Sequence, residues 1–473
     1  MKLSSQNKLF KKLNFFDWAA ISLCLVFALL GSIVSVIRFW QYEVFYYDFG
    51  IFDSAIWNVA HLNPPVIDHL VVGGKWIFAD HFSPGIFIFS PLFWITSRSE
   101  TLLVAQAVTV ALGGFVIYKI GIELTKNKFI SLSILIAYFL FLGLQNAVIS
   151  DFHEVTVATL PLTLTFWAIV KKRFKLYFLF LFLTLLFKES NFILGISIGL
   201  FIFLLNKKNW RIALLSIIFS IIYGFLAINI IIPYFAKASY HYSQSVELNS
   251  GLITSFFDNK KKIETIFYSF LSFGFLPLFS PATWPLILQD FFTRFYSQVG
   301  ETRIGLGLHY SALLSVIMAV SSFFGFNLLK RFTKLIKFAP VIIILVVIFL
   351  YRFILHGPFA LAYNPAFYNH TRDFSFLNEL VNKVPMNSIV MTQNNLASHF
   401  INKEKRVYLL SLDYQQKKPE YIIFDMRDGQ NPNDFFDIGP DKAKKLLNFI
   451  REDNCYTKFY SSDSQFIYKR TCI

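Results

Sequence analysis

The run from Ala19 to Ile37 carries no charged side chain. At 1.5 Å per residue, a helix of that length crosses a hydrocarbon core about 30 Å thick. The pattern repeats at Thr101 to Tyr118, Phe129 to Ser150, Val155 to Val170, Leu176 to Phe187, Ser190 to Asn206 and Ile212 to Ala236. Only 15% of the residues are charged, against about 25% in soluble chains, and 55% are hydrophobic. Such a chain is a membrane protein, and disorder, a coiled coil and a collagen repeat are excluded. The first run is long and has no small-residue cleavage site after it, so it reads as a retained span.

Forty-four Lys and Arg against 29 Asp and Glu leave a net charge of +15. The basic residues fall in short knots between apolar runs, at Lys8 to Lys12, Lys171 to Lys175, Lys207 to Arg211 and Lys330 to Lys337. Cytoplasmic loops carry this bias, so the excess reflects topology and not nucleic-acid binding. With the basic start inside, Arg38 to about Pro84 forms a large outer loop. Gly50 to Ala60 reads as a helix on the membrane surface, and Gly85 to Ile95 as an interfacial or re-entrant segment too short to span. Leu176 to Asn206 reads as a hairpin with Lys188 and Glu189 at its outer tip, the alternative being one long broken helix with that pair in mid-membrane. Pro277, Pro281 and Pro285 divide Thr265 to Gln289 into two segments. Leu308 to Leu329 then goes in and Phe338 to Leu355 comes out, giving about eleven spans.

From His356 the composition turns soluble. Ser388 to Thr392, Arg406 to Leu410 and Tyr421 to Asp425 read as strands and Asp441 to Arg451 as a helix. The expected fold is thus an α-helical polytopic membrane domain, 1–355, and a small extracytoplasmic α/β domain, 356–473. Three cysteines exclude a disulfide framework, and of these only Cys455 and Cys472 are placed to pair.

Ionisable groups at span ends are costly, and here they gather on the outer side. The first outer loop carries Asp48, Asp53, Asn58, His61, Asp68, His69, Asp80 and His81. Later loops carry Asp151, His153 and Glu154, then Lys188 and Glu189, then Arg294, Arg303, His309 and Tyr310. Each has a plainer reading: Asp48 as the N-cap of the surface helix, the loop polarity as contact with headgroups, Lys188 and Glu189 as a local ion pair. A carboxylate beside a histidine orients an imidazole or holds a hard cation.

At these positions the chain resembles the prokaryotic domain of unknown function 2079 family. The matching signatures are YDFGIFDSAIWN from Tyr47, DHFSP from Asp80, DFHE from Asp151, KES from Lys188 and HYSA from His309, with VPMNSIVMTQNNLASHF in the tail. Where DFHPE is expected, Val155 follows DFHE and the proline is missing. That family in turn looks like the GT-C superfamily of membrane glycosyltransferases, which take a sugar from a polyprenyl-phosphate lipid outside the cytoplasmic membrane.

The resemblance implies an enzyme that transfers a sugar from a polyprenyl-phosphate donor to a hydroxyl on a glycan, lipid or protein, at the outer face of the inner membrane. Asp48 is then the general base, with Asp53 and Asp151 orienting the acceptor or, with His81, His153 and Glu154, holding a divalent ion. Asp80, His81, Lys188, Glu189, Arg294, Arg303, His309 and Tyr310 bind substrate, with Lys188 and one of the two arginines facing the departing phosphate. His81, His153 and Glu154 are the candidate ligands of a divalent cation, Mg or Mn. The rival readings are a transporter or lipid flippase, marked by ionisable groups at the bilayer midplane, and a non-catalytic envelope-assembly protein.

Overall fold

A computed structural model of the chain describes residues 13–67, 74–242, 254–296, 301–400 and 405–472. Asp68 and His69 lie outside the described residues. Its helical part begins with Phe15–Trp40, started by a capping box in which Asn14 accepts from the Asp17 N–H at 3.1 Å and Asp17 reaches back to the Asn14 N–H at 3.3 Å. The helix opens four residues before the uncharged run because Asp17 is neutralised by Lys128 at 2.8 Å. Glu100–Thr125 packs along it and also against Lys128–Leu140 and Thr159–Val170.

Five helices among the described residues are long and apolar enough to cross a bilayer, or six if the bent pair Lys128–Leu140 and Leu142–Ile149 is one span. That is fewer than the about eleven spans expected from apolar runs. Several of those runs form helices of only 12 to 15 residues, such as Phe174–Leu185 and Asn191–Leu205. Around the three prolines, helices Lys260–Leu271 and Trp284–Phe295 are separated by turns, as the missing N–H groups require. One of those turns lies directly on the His309–Leu329 helix, where a Cβ on Gly325 would collide with the Leu276 carbonyl oxygen.

The bend of 50° between Lys128–Leu140 and Leu142–Ile149 frees backbone groups inside the apolar core. Buried Gln145 donates to the Phe139 carbonyl at 2.8 Å. Gln106, fully buried on a neighbouring helix, donates to the Ala147 and Val148 carbonyls at 3.2 and 3.1 Å and accepts from the His153 N–H at 2.9 Å. This single amide holds the loop from Asp151 to His153 in place.

A two-stranded ribbon, β1 (Val66–Ile67) and β2 (Lys75–Trp76), lies in the first large loop. The end of the chain folds on a five-stranded sheet of β3 (Val390–Thr392), β4 (Val407–Leu409), β5 (Tyr421–Asp425), β6 (Tyr456–Ser462) and β7 (Gln465–Arg470). Its order is β4-β3-β5-β7-β6, with β4, β3 and β5 parallel and β6 and β7 joined as an antiparallel edge. Helix Pro440–Glu452 covers one face through Ala443, Leu446, Leu447 and Ile450. Cys455 and Cys472 are disulfide-bonded beside the edge hairpin. The carboxyl ends of the parallel strands face the helical part, and the candidate site lies between the two.

Candidate functional site

The surface helix runs Tyr46–Ala60, four residues earlier than expected. Its N-cap residue is Phe45, which has no side-chain acceptor, so the orphan N–H groups of the first turn need partners from elsewhere. Asp151 supplies one, accepting from the Phe45 N–H at 3.2 Å. Asp48 is therefore inside the first turn and not its cap, and its exposed carboxylate faces a cavity. Asp53 follows five residues later, about 140° further round the helix at 100° per residue, and is buried away from that cavity among apolar side chains. Asn58 donates to the Val66 carbonyl at 3.0 Å and His61 stacks on Trp57, so both serve the loop and not the cavity.

The cavity has a volume of about 680 Å³. Asp48, Asp80, His81, His153, Glu154, Lys188, Arg303, His309 and Tyr310 line it, although they come from four separate stretches of the chain. Asp151 sits behind Asp48. Burial, and then the charge of Asp48, push its carboxyl up to about 8, so it gives up its proton less readily than an ordinary carboxyl and adds less negative charge beside Asp48.

One wall is a ladder of alternating charge. Lys75 donates to Asp80 at 3.1 Å, and the His81 ring lies 4.0 Å from Asp80 on one side and 2.9 Å from Glu189 on the other. Glu189 also accepts from the Phe82 N–H at 3.2 Å and the Tyr240 hydroxyl at 2.7 Å. Burial draws the His81 imidazole down, but the Glu189 carboxylate outweighs it and the net shift is upward. Burial pushes Glu189 up, and His81, Lys188 and Tyr240 together bring it down to about 2. Lys188 turns to Glu154 at 2.6 Å, and burial of its ammonium is outweighed by Glu154 and Glu189. Lys188 and Glu189 thus occupy a tight turn between Phe174–Leu185 and Asn191–Leu205, as in a hairpin tip, and not the middle of one long helix.

The candidate metal ligands are engaged in this ladder. Among the described residues, no group of three or more His, Cys, Asp or Glu side chains could hold a metal ion. His81 is held by Glu189, Glu154 is paired with Lys188, and the His153 Nδ1 bonds the Asp151 carbonyl at 2.9 Å. Two carboxylates already matched by an ammonium and an imidazole do not fit a divalent cation.

The two arginines separate. Arg294, buried in the Trp284–Phe295 helix, pairs with Asp290 at 3.2 Å and donates to the carbonyls of Arg303, Ile304 and Gly305 at 2.9, 3.2 and 2.7 Å. It does not line the cavity. It shapes the loop from which Arg303 does, with the Arg303 guanidinium 5.6 Å above the Tyr310 ring. Beside them the His153 and His309 rings stack at 3.6 Å.

Sequence reasoning did not single out several contributors. Lys75, Tyr242 and His241 line the cavity, and Tyr242 stacks on His81 at 4.7 Å and donates to Asp80 at 3.3 Å. The opposite wall comes from the sheet-bearing part, with Ser411, Asp413 and Lys417 just after β4 and Asp437 and Lys442 before and in the Pro440–Glu452 helix. Ligands of parallel α/β sheets sit outside the carboxyl ends of the strands, which was a usable signal once β3, β4 and β5 were read.

No curated protein matches the chain in sequence. In structure it is similar to ArnT from Cupriavidus metallidurans, solved bound to undecaprenyl phosphate, with a TM-score of 0.54 at 8% identity, over 96% of this chain and 98% of that one. The helical architecture with a small terminal sheet is therefore the GT-C-like fold that the motifs implied. A family described as predicted membrane proteins, DUF2079, matches residues 38–459, and the chain belongs to it.

Proposed function

We propose that this protein is an inverting membrane glycosyltransferase that moves a sugar from a polyprenyl-phosphate donor to an acceptor hydroxyl at the outer face of the membrane. The observation that carries the reading is the shared cavity, in which the exposed Asp48 carboxylate shares one space with Lys188 and Arg303. The fold supports it, because the similar structure is of a protein bound to undecaprenyl phosphate.

In this reading the acceptor oxygen attacks the anomeric carbon, the bond from that carbon to the phosphate oxygen breaks, and Asp48 takes the hydroxyl proton. Such base catalysis contributes about 10²- to 10⁴-fold. Charge develops on the departing phosphate, where Lys188 and Arg303 stabilise it in a partly water-excluded site. Asp151 accepts from the Phe45 N–H and supports the first turn beneath Asp48. The division into a catalytic helical part, 1–355, and an outer domain, 356–473, belongs to the same reading, and the Cys455–Cys472 disulfide suits an oxidising compartment outside the cytoplasm.

The test is transfer from a panel of purified polyprenyl-phosphate sugars by the full chain in lipid nanodiscs. Asp48→Asn keeps the shape but cannot take the proton, so turnover falls by about 10²-fold or more while donor binding stays. Asp53→Asn, outside the cavity, changes turnover less. Full turnover in folded Asp48→Asn removes Asp48 as base, and movement of lipid across vesicles with no transfer product favours a flippase.

A further inference from the structure

The helix that carries Asp48 begins at a residue that cannot cap it, and its second support comes from the far end of the chain. The Tyr47 N–H donates to Asn394 Oδ1 at 2.7 Å, across 347 positions of sequence. Asn394 is 2% exposed, and its Nδ2 donates to the Asn433 carbonyl at 3.0 Å. With Nδ2 engaged there, the amide oxygen is committed to the helix. Around it, Leu396, Ala397 and Phe400 share one apolar cluster with Tyr42 and Tyr46, and Ser398 donates to the Val44 carbonyl at 2.8 Å. The segment from Val44 to Tyr47 is therefore gripped by Asp151 from the helical part and by the sheet-bearing part from the other side.

We propose that Asn394 is a positioning residue for Asp48, an N-cap supplied by the outer domain to the helix of the helical part. The proposal rests on the reading of Asp48 as the base. An uncapped first turn frays, and Asp48 is on that turn. Fraying moves the carboxylate relative to the bound hydroxyl. The outer domain is thereby part of the catalytic apparatus, because without its cap the base is present but loosely held.

The experiment uses the full chain in nanodiscs, with sugar transfer from whichever polyprenyl-phosphate donor of the panel the wild type uses. Asn394→Ala is expected to lower kcat about fivefold, with KM for the donor unchanged, and to raise amide exchange by a similar factor in peptides covering 45–50. Asn394→Asp keeps an acceptor oxygen, so it retains exchange protection, but its charge next to Asp48 moves the acidic limb of the pH–rate profile to higher pH. Ser398→Ala loosens the same interface without touching the cap and lowers kcat less than Asn394→Ala does. Faster exchange with unchanged kcat in Asn394→Ala overturns the proposal, as does an equal loss of kcat in Ser398→Ala. If Asn394→Ala does not fold, an unshifted pH profile in Asn394→Asp overturns it. A wild type that transfers no sugar from any donor brings down the functional reading itself, and the proposal with it, and is seen before any variant is made.

Discussion

Among the described residues, replacing Lys188 by methionine removes the one hydrogen-bond partner of a buried carboxylate. Glu154 is 1% exposed, its Oε1 accepts from the Lys188 ammonium at 2.6 Å, and its Oε2 has no hydrogen-bond partner among the described residues. Breaking a buried pair by removing one member costs about 3–5 kcal/mol, because the remaining charge is uncompensated. Removing both charges together is often neutral, so Lys188→Met with Glu154→Gln is expected within about 1 kcal/mol of the wild type. Stability and chemistry then part company. The double variant recovers the thermal unfolding midpoint of the solubilised chain, yet transfer stays low, since no ammonium faces the departing phosphate. A single variant as stable as the wild type refutes the burial reasoning. A double variant no better than the single refutes the pairing, and one that regains full turnover refutes the role of Lys188 at the phosphate.

Arg294→Lys offers three donors on one nitrogen where the planar guanidinium makes four bonds, to Asp290 and three carbonyls, so the loop bearing Arg303 loosens and KM for the donor rises about tenfold, while kcat changes less; an unchanged KM in donor titration contradicts this. The His81–Glu189 pair sets a pH window. His81 is raised, so its contribution is complete below its unfolded pKa of about 6.5 and is lost as pH climbs through the raised value. Glu189 is lowered to about 2, so its contribution is complete above its ordinary value of 4.5 and is lost as pH falls. Unfolding midpoints should therefore peak between about pH 5 and 6, and Glu189→Gln should flatten the curve; an unaltered curve in that variant removes the pair as its cause. Finally, alkaline phosphatase fused after Ile473 should be active and a cytoplasmic reporter there silent, and the reverse places the cavity on the inner side.

Local pattern carried the fold a long way. The strand expected at Tyr421 to Asp425 is there to the residue, and those at Ser388 and Arg406 are two residues and one residue longer at the start than β3 and β4. Apart from Thr392 and Asp425 at their carboxyl ends, all three are apolar runs buried throughout, as parallel strands covered on both faces are. The hairpin of β6 and β7 escaped because β6 is almost wholly exposed and its side chains, from Thr457 to Ser462, mix lysine, serine and aromatics without clear alternation. The start of the Asp48 helix was misplaced at Gly50 for a related reason. Its caps are Asp151 and Asn394, so the short-range signature of a helix N-terminus is absent from the residues around Phe45.

The site was legible as an inventory and illegible as a set of pairs. Charge at the ends of apolar runs marked Asp48, Asp80, His81, Glu154, Lys188 and Arg303, all of which line the cavity. Which cation serves which carboxylate is decided by contacts between residues 108 apart for His81 and Glu189 and 34 apart for Lys188 and Glu154, and no local spacing encodes them. The candidate metal ligands are an instance. Histidines and acids seen without partners suggest ligands for a divalent ion, but Lys188 stands inside the cluster and, with His81, offsets the two buried carboxylates. A divalent cation placed there would add two charges where none is left to balance, and the desolvation of an uncompensated ion costs several kcal/mol. Arg303, which lines the cavity beside Tyr310, is then the cation turned to a phosphate entering it, and Lys188 reaches that phosphate only by sharing its ammonium with Glu154.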